Sequence, residues 1–381
     1  MSTFAARALD VQDGARAAPW AGRVLLGVTA LLVVFGLLSV YSASAFLATS
    51  RGLPDTHYLT EQAVRAGIGG VGLVAARYLD YRWWARLAWP LVGVTVVLLA
   101  VLVVPGTEAV APRINGARRW LVAGLTFQPS ELAKFTVVVW TAMLAVRKQD
   151  RLHSFRNGMG PFLVVNGVLC GLVLLEPHLS AAALLAALAG VVLFAAGARL
   201  GHFVLLGVAS VPLLWDQIAN TGYRMRRVTA FLDSGPAATE AGYQLRQSLV
   251  AIGSGGLFGV GYGESRQKLY YLPEPQNDFI FPIIAEEWGF VGSALLILLF
   301  VAWTVAGLRI ASAAPDLCGR LLGVGLTSVV AFGAFAHFGV TLGLLPTTGV
   351  NLPFVSAGGT HLVLVLGCTG VLLNIAGQRA G

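Results

Sequence analysis

Residues Val24 to Ala48 read VLLGVTALLVVFGLLSVYSASAFLA, and their only polar side chains are Thr29, Ser39, Tyr41, Ser42 and Ser44. A helix needs ~20 predominantly apolar residues to cross a bilayer core, and this stretch has enough. Arg16 and Arg23 before it and Ser42-Ala43-Ser44-Ala45 near its end imitate a secretory signal with a cleavage site. A signal's apolar region is only ~7 to 15 residues long, so the segment reads as an uncleaved first transmembrane helix.

Comparable blocks recur over residues 61–77, 86–105, 129–146, 159–176, 178–198, 200–216, 280–308, 321–345 and 358–376. The expected fold is therefore an all-α polytopic membrane protein of about ten transmembrane helices. A short segment, 1–22, would precede a single transmembrane domain over 23–377. Composition agrees, because the 381 residues are 56% hydrophobic and 12% charged, about half the ~25% charge of a soluble domain. That excludes a cytosolic enzyme and a disordered chain. Cys170, Cys318 and Cys368 are isolated in or beside apolar blocks and read as packing residues, not as a disulfide framework.

An even number of spans puts both termini on one side. Arg7, Arg16, Arg23, Arg77, Arg82, Arg86, Arg147, Lys148, Arg151, Arg156, Arg199, Arg309, Arg320 and Arg379 all fall there, which makes it the cytoplasmic side. Most of the remaining basic residues lie in two long extracytoplasmic loops, 106–128 and 217–279. Long loops tolerate charge, so simple solvation would account for them. Yet Arg118-Arg119 sits beside Trp120 in a loop too short to form a domain, and Arg224, Arg226 and Arg227 follow directly on a span. Guanidinium groups fork onto phosphate oxygens, so a cationic patch at the outer surface suits an anionic lipid-linked ligand such as a pyrophosphate. Nucleic acid does not belong on that face.

Two connections are more than linkers. Gln247 to Gly263 is apolar, glycine-rich and too short to span, and reads as re-entrant or interfacial. Its Gly-Ser-Gly-Gly lacks the lysine and strand context of a phosphate-binding loop. Leu345 to Gly359, with Pro346 and Pro353, breaks the chain between the last two spans.

Ionisable residues at the edges of spans are costly to keep and functional by default. Glu131 and Lys134 can pair on one helix face, with Ser130 as a candidate N-cap. Glu176-Pro177-His178 marks a tight outer turn. Of Glu286 and Glu287, at most one should face an apolar environment, and His337 reads as a packing residue. No His, Cys and Asp cluster has metal-site spacing. Asp278 stands at the outer mouth of a span after Pro273 and Pro275, where it can be a helix cap or a general base.

Six ordered motifs carry a resemblance. They are Asn115-Gly-Ala-Arg-Arg-Trp120; Gln128-Pro-Ser-Glu-Leu-Ala-Lys134; Gly242-Tyr-Gln244 with Gln247-Ser248 and Gly253-Ser-Gly-Gly-Leu-Phe-Gly259; Lys268-Leu-Tyr-Tyr-Leu-Pro-Glu-Pro275; Asp278-Phe-Ile-Phe281 with Ala285-Glu-Glu287 and Gly289-Phe-Val-Gly292; and Leu352-Pro-Phe-Val-Ser356 with Gly358-Gly359. Together they resemble the SEDS family (shape, elongation, division and sporulation) over residues 24–376, and look more like its division branch than its elongation branch. The resemblance implies a ten-helix peptidoglycan polymerase that uses lipid II on the outer face of the cytoplasmic membrane and works with a class B penicillin-binding protein and other division proteins. It carries the family's essential carboxylate to Asp278 and its loop arginine to Arg119. The chain departs from the family at Gln276-Asn277 (usually His-Thr), at Pro282 and Trp288, and at Ala357-Gly-Gly-Thr-His361 (usually Tyr-Gly-Gly-Ser-Ser).

The expected activity is an inverting glycosyl transfer with Asp278 as base. Arg119, Arg118, Lys134, Arg224 and Lys268 are the candidate pyrophosphate ligands. No organic cofactor is implied, and a divalent cation, Mg or Mn, is left open. The rival readings are a lipid II flippase and a non-catalytic membrane scaffold for a penicillin-binding protein. A flippase should carry its critical charges near the bilayer midplane, whereas these gather at the outer edge.

Overall fold

The computed structural model describes residues 18–113, 117–123, 125–232 and 240–378. Arg7, Arg16, Asn115, Gly116 and Arg379 lie outside the described residues. Helices stand where each apolar block predicts one: α1 (Ala18–Ser50), α2 (His57–Tyr78), a short α3 (Tyr81–Arg86) leading into α4 (Ala88–Val103), α5 (Pro129–Arg147), α6 (Gly160–Leu175), α7 (Leu179–Ala195) and α8 (Leu200–Ala219). After α9 (Gly222–Leu232) and α10 (Glu240–Ser254) come α11 (Ile280–Ser312), α12 (Leu317–Thr341) and α13 (Gly359–Gly377).

Among the described residues six helices are long and apolar enough to cross a membrane, namely α1 over Trp20–Ser50, α5, α8, α11, α12 and α13. The apolar helices α4, α6 and α7 have 16, 16 and 17 residues. At 1.5 Å per residue they rise only ~25 Å, a little less than a bilayer core. The chain is thus a helical, multi-pass membrane protein. One feature departs from an all-helical expectation: β1 (Leu121–Ala123) pairs antiparallel with β2 (Leu125–Phe127) inside the first long loop, with Val122 opposite Thr126.

The centre of the bundle is α5, which is buried along most of its length and packs against α4, α7 and α12. Its entry differs from the sequence reading. Gln128 is the N-cap and Pro129 occupies the first turn, so Ser130 is inside the helix and its hydroxyl caps nothing. Proline suits that position because its missing N–H would lack a helical partner anyway. Around α5, α13 lies along α2 and α11 packs on α1 and α12. The Trp303 indole of α11 donates to Thr29 of α1 at 2.9 Å, which satisfies a polar N–H in an otherwise apolar seam.

Two polar clusters mark opposite ends of this bundle. At one, Asp316 accepts from the Tyr81 hydroxyl at 2.8 Å and from Arg82 at 3.1 Å, and Asn374 accepts from the Tyr81 amide at 2.9 Å. At the other, the loops before α5, between α6 and α7, before α11 and between α12 and α13 converge.

α11 is broken near its start. Gly289 has φ 66° and ψ −163°, a conformation essentially restricted to glycine. The segment after α10 satisfies the backbone groups freed there. Val260 N–H donates to Glu286 O at 2.9 Å and Gly261 N–H to Glu287 O at 3.2 Å, while Phe290 N–H donates to Gly256 O at 2.9 Å. The glycine-rich run is therefore a backbone splint on α11, as irregular backbone at membrane depth requires.

Candidate functional site

Asp278 lies one residue before Phe279, the N-cap of α11, and among the described residues it makes no capping hydrogen bond. The cap reading falls on that geometry. The preceding loop is fastened instead by its backbone: the Ser356 hydroxyl donates to Asn277 O at 2.7 Å, and Ala357 N–H donates to Gln276 O at 2.9 Å. Glu274, at φ 49°, accepts from the Gln276 and Asn277 amides at 3.0 and 2.9 Å and turns the chain toward the carboxylate. The broken segment between α12 and α13 forms the opposite wall. A Cβ on Gly349 would sit 2.8 Å from the Asp278 Oδ2, so glycine makes room for the carboxylate there.

Burial, and then the nearby Glu274 charge, raise the Asp278 carboxyl to about 6, against the opposing pull of Arg227 and Arg119. It is ionised at neutral pH yet a stronger base than a solvated aspartate.

Arg119 reaches the same neighbourhood from the loop before β1. Its Nε–H donates to Glu176 O at 3.3 Å and its Nη2 to Pro177 O at 2.7 Å. The turn between α6 and α7 therefore holds the guanidinium by backbone carbonyls and leaves its charge uncancelled by a hydrogen-bonded carboxylate. Burial, countered by the charges of Glu176 and Asp278, moves Arg119 below the usual arginine range. Arg224 and Arg227 come from α9. Arg224 is anchored to Gln217 O at 2.9 Å and Gln217 Oε1 at 2.7 Å, and Arg227 donates to Thr347 O at 2.8 Å. Two guanidiniums, Arg227 and Arg119, thus act on one raised carboxyl, and Arg224 adds its charge beside Arg119.

The other sequence candidates lie elsewhere. Arg118 pairs with Glu108 and donates to Val104 O at 3.2 Å. Lys134 is buried against Glu131 at 2.7 Å, and the same carboxylate meets His361 Nδ1 at 2.6 Å. Lys268 is buried too, 2.9 Å from Glu287 and 2.6 Å from Gly263 O. Both lysines are committed to buried carboxylates, so neither presents free charge to a pyrophosphate. Glu286 and Glu287 are likewise both buried, but each among polar donors. Glu286 accepts from Ser265 at 2.5 Å and from two backbone amides, and Glu287 from Ser42 at 2.6 Å. The loop folding back onto α11 supplies the donors that make two buried carboxylates tolerable. His337 packs with Nδ1 2.7 Å from Val350 O, as expected.

The family model described as a cell cycle protein of the FtsW, RodA and SpoVE type matches residues 23–381. The chain belongs to that family. It is 38% identical over 359 residues to the probable peptidoglycan glycosyltransferase FtsW of Geobacter sp. strain M18, covering 94% of this chain and 97% of that protein. It is equally similar, at 38% over 354 residues, to stage V sporulation protein E of Bacillus subtilis, covering 93% and 96%. Among solved structures it resembles a chain of a peptidoglycan synthase complex that coordinates polymerization and crosslinking, with TM-score 0.77, 30% identity, and 96% and 99% of the two chains covered. It also resembles RodA of Thermus thermophilus, with TM-score 0.68, 29% identity, and 96% and 98% covered.

In this FtsW/RodA/SpoVE member, the sequence placed Arg227 in the basic run after α8 but only Arg224 among the candidate ligands, although Arg227 follows Arg224 by three residues and shares its helix face. Sequence reasoning passed over Glu274, Thr347 and Gly349, whose part depends on two distant loops meeting. Among the described residues no group of three or more His, Cys, Asp or Glu side chains is arranged to hold a metal ion.

Proposed function

We propose that the chain is a peptidoglycan glycosyltransferase that joins lipid II disaccharide units at the outer face of the cytoplasmic membrane during cell division, with Asp278 as general base. The observation that carries the reading is the isolated, raised Asp278 carboxyl facing Arg119 and Arg227. Asp278 takes the proton from the acceptor sugar's 4-hydroxyl. The resulting oxygen attacks the anomeric carbon of the growing chain from the face opposite its pyrophosphate. The C–O bond to the undecaprenyl pyrophosphate breaks, the configuration inverts, and no covalent enzyme intermediate forms. Negative charge accumulates on the departing pyrophosphate, where Arg119, Arg224 and Arg227 converge; one well-placed donor of this kind is worth about 3–4 kcal/mol.

A class B penicillin-binding protein is the proposed partner, supported by the likeness to the synthase-complex chain. Both termini lie in the cytoplasm, and the cluster of Asp278, Arg119 and Arg227 lies outside.

The test is polymerisation of lipid II by purified Asp278→Asn. Asparagine keeps the shape but cannot accept the proton, so glycan synthesis should fall by ~10²–10⁴-fold while partner pull-down and thermal unfolding stay as in wild type. Near-normal glycan chains would end the reading of Asp278 as base; a wild-type protein that makes no glycan is the result that would favour the flippase and scaffold alternatives.

A further inference from the structure

The turn between α6 and α7 contains a carboxyl that the mechanism above does not use. Glu176 is 2% exposed, and among the described residues neither of its oxygens has a hydrogen-bond partner. Buried polar groups are nearly always paired, so an orphaned carboxyl points to an occupant. It lines a cleft of about 320 Å³ at the outer ends of α4 and α6, large enough for more than a single water. Leu102, Val103 and Leu175 form the apolar wall, at the ends of membrane helices, and Arg113 and Arg118 form the cationic rim. Arg119 borders the same turn through its bonds to Glu176 O and Pro177 O.

We infer that Glu176 and Arg119 form an anion site at the mouth of this cleft, in which the Glu176 carboxyl donates a hydrogen bond to a phosphate oxygen of a prenyl-linked pyrophosphate whose chain lies against the apolar wall. The inference deepens the proposed function and rests on its lipid-linked substrate. Guanidiniums are pure donors, and a carboxylate among them would compete with the phosphate for the same N–H groups. A carboxylic acid adds a donor instead. Burial, opposed by Arg119, raises Glu176 to about 8, so the acid form prevails at neutral pH. The charged groups around it are Arg119, Arg113 and Arg118, with Glu108 paired to Arg118. His178, on the same turn, is pushed down to about 3 by burial and by Arg119, and stays neutral. Above pH 8 Glu176 gains charge, attracts Arg119 and repels phosphate.

The test is calorimetric binding of geranyl pyrophosphate to the purified full chain from pH 6.5 to 9.5. Wild-type affinity should fall, relative to Glu176→Gln, by up to ~10-fold per pH unit above about 8, the slope expected for one linked proton. Glu176→Gln, whose amide still donates but cannot ionise, should bind as wild type at pH 7 and show no such fall. Glu176→Ala should bind ~10-fold more weakly at neutral pH, having lost a hydrogen bond to a charged group. Identical pH profiles for wild type and Glu176→Gln would overturn the site, and that comparison stands even where the alanine variant fails to fold. Inorganic pyrophosphate should bind at least ~10-fold more weakly than the geranyl form, because it buries no chain; equal binding would overturn the lipid assignment. Asp278→Asn keeps the two readings apart. If it binds the probe but does not polymerise, a failed Glu176 result leaves the proposed function standing. If it polymerises normally, the base role of Asp278 fails while the lipid-linked substrate stands, and the Glu176 comparison is read on its own.

Discussion

In the proposed mechanism Asp278 is the base and Arg119 a phosphate ligand, and each role makes a separate prediction. Since the Asp278 carboxyl is raised to about 6, its base form is lost as pH falls through that value. Polymerisation under subsaturating lipid II should therefore drop by about tenfold per pH unit below 6 and level off above it. A rate that stays flat down to pH 5 would contradict base catalysis by this group. Arg119→Ala should weaken polymerisation far more than Arg199→Ala, because both remove one charge but only Arg119 lies beside Asp278. Arg119→Lys should recover only part of the rate, since an ammonium cannot hold two backbone carbonyls and fork onto a phosphate as a guanidinium does. Steady-state kinetics of the three variants would decide it, and equal activity of wild type and Arg119→Ala would remove Arg119 from the site.

At the scale of the element, the first turns of α11 are where loop, helix and chemistry meet. The Gly289 break lets the 255–261 segment bond to the backbone of α11, and the Lys268–Glu287 pair ties the following loop to the same helix. That loop ends in Asp278, so the two devices set the position of its carboxylate. Lys268→Ala should lower thermal stability markedly, because removing one partner of a buried pair typically costs ~3–5 kcal/mol. Arg119→Ala should lower the melting temperature less, because it leaves two turn carbonyls without a donor and not a buried charge without its partner. Gly289→Ala should be destabilising as well, by ~1–3 kcal/mol from backbone conformation alone, with a further clash against the Leu257 carbonyl. Melting curves of purified Lys268→Ala that overlay wild type would show that Lys268 is not a structural tie.

For the whole molecule, the charge asymmetry of the loops predicts the orientation. Reporter fusions after Arg151 should report cytoplasm, and fusions at Pro236, in a segment outside the described residues, should report the outer face. Either result reversed would overturn the span assignment. Much of this protein was legible before any coordinates. Blocks such as Val24–Ala48 announce helices because a bilayer imposes a minimum apolar length that no loop imitates. Asp278 and Arg119 stood out because charge beside an apolar span is expensive to keep without a use. Pairing across the bundle was not legible. The i, i+3 spacing did show that Lys134 can pair with Glu131, but Lys268 looks as available as Arg119 in the sequence, since Glu287, which holds it, lies on another element, as does the His361 that meets Glu131. Glu176 reads as one residue of a tight turn until the outer ends of α4 and α6 enclose it. The sequence by itself determined which segments enter the membrane and which residue types wait at its edge, because partition depends on local composition. Only the tertiary structure decided which charges cancel and which stay available, because that depends on distances of a few ångströms between residues far apart in the chain.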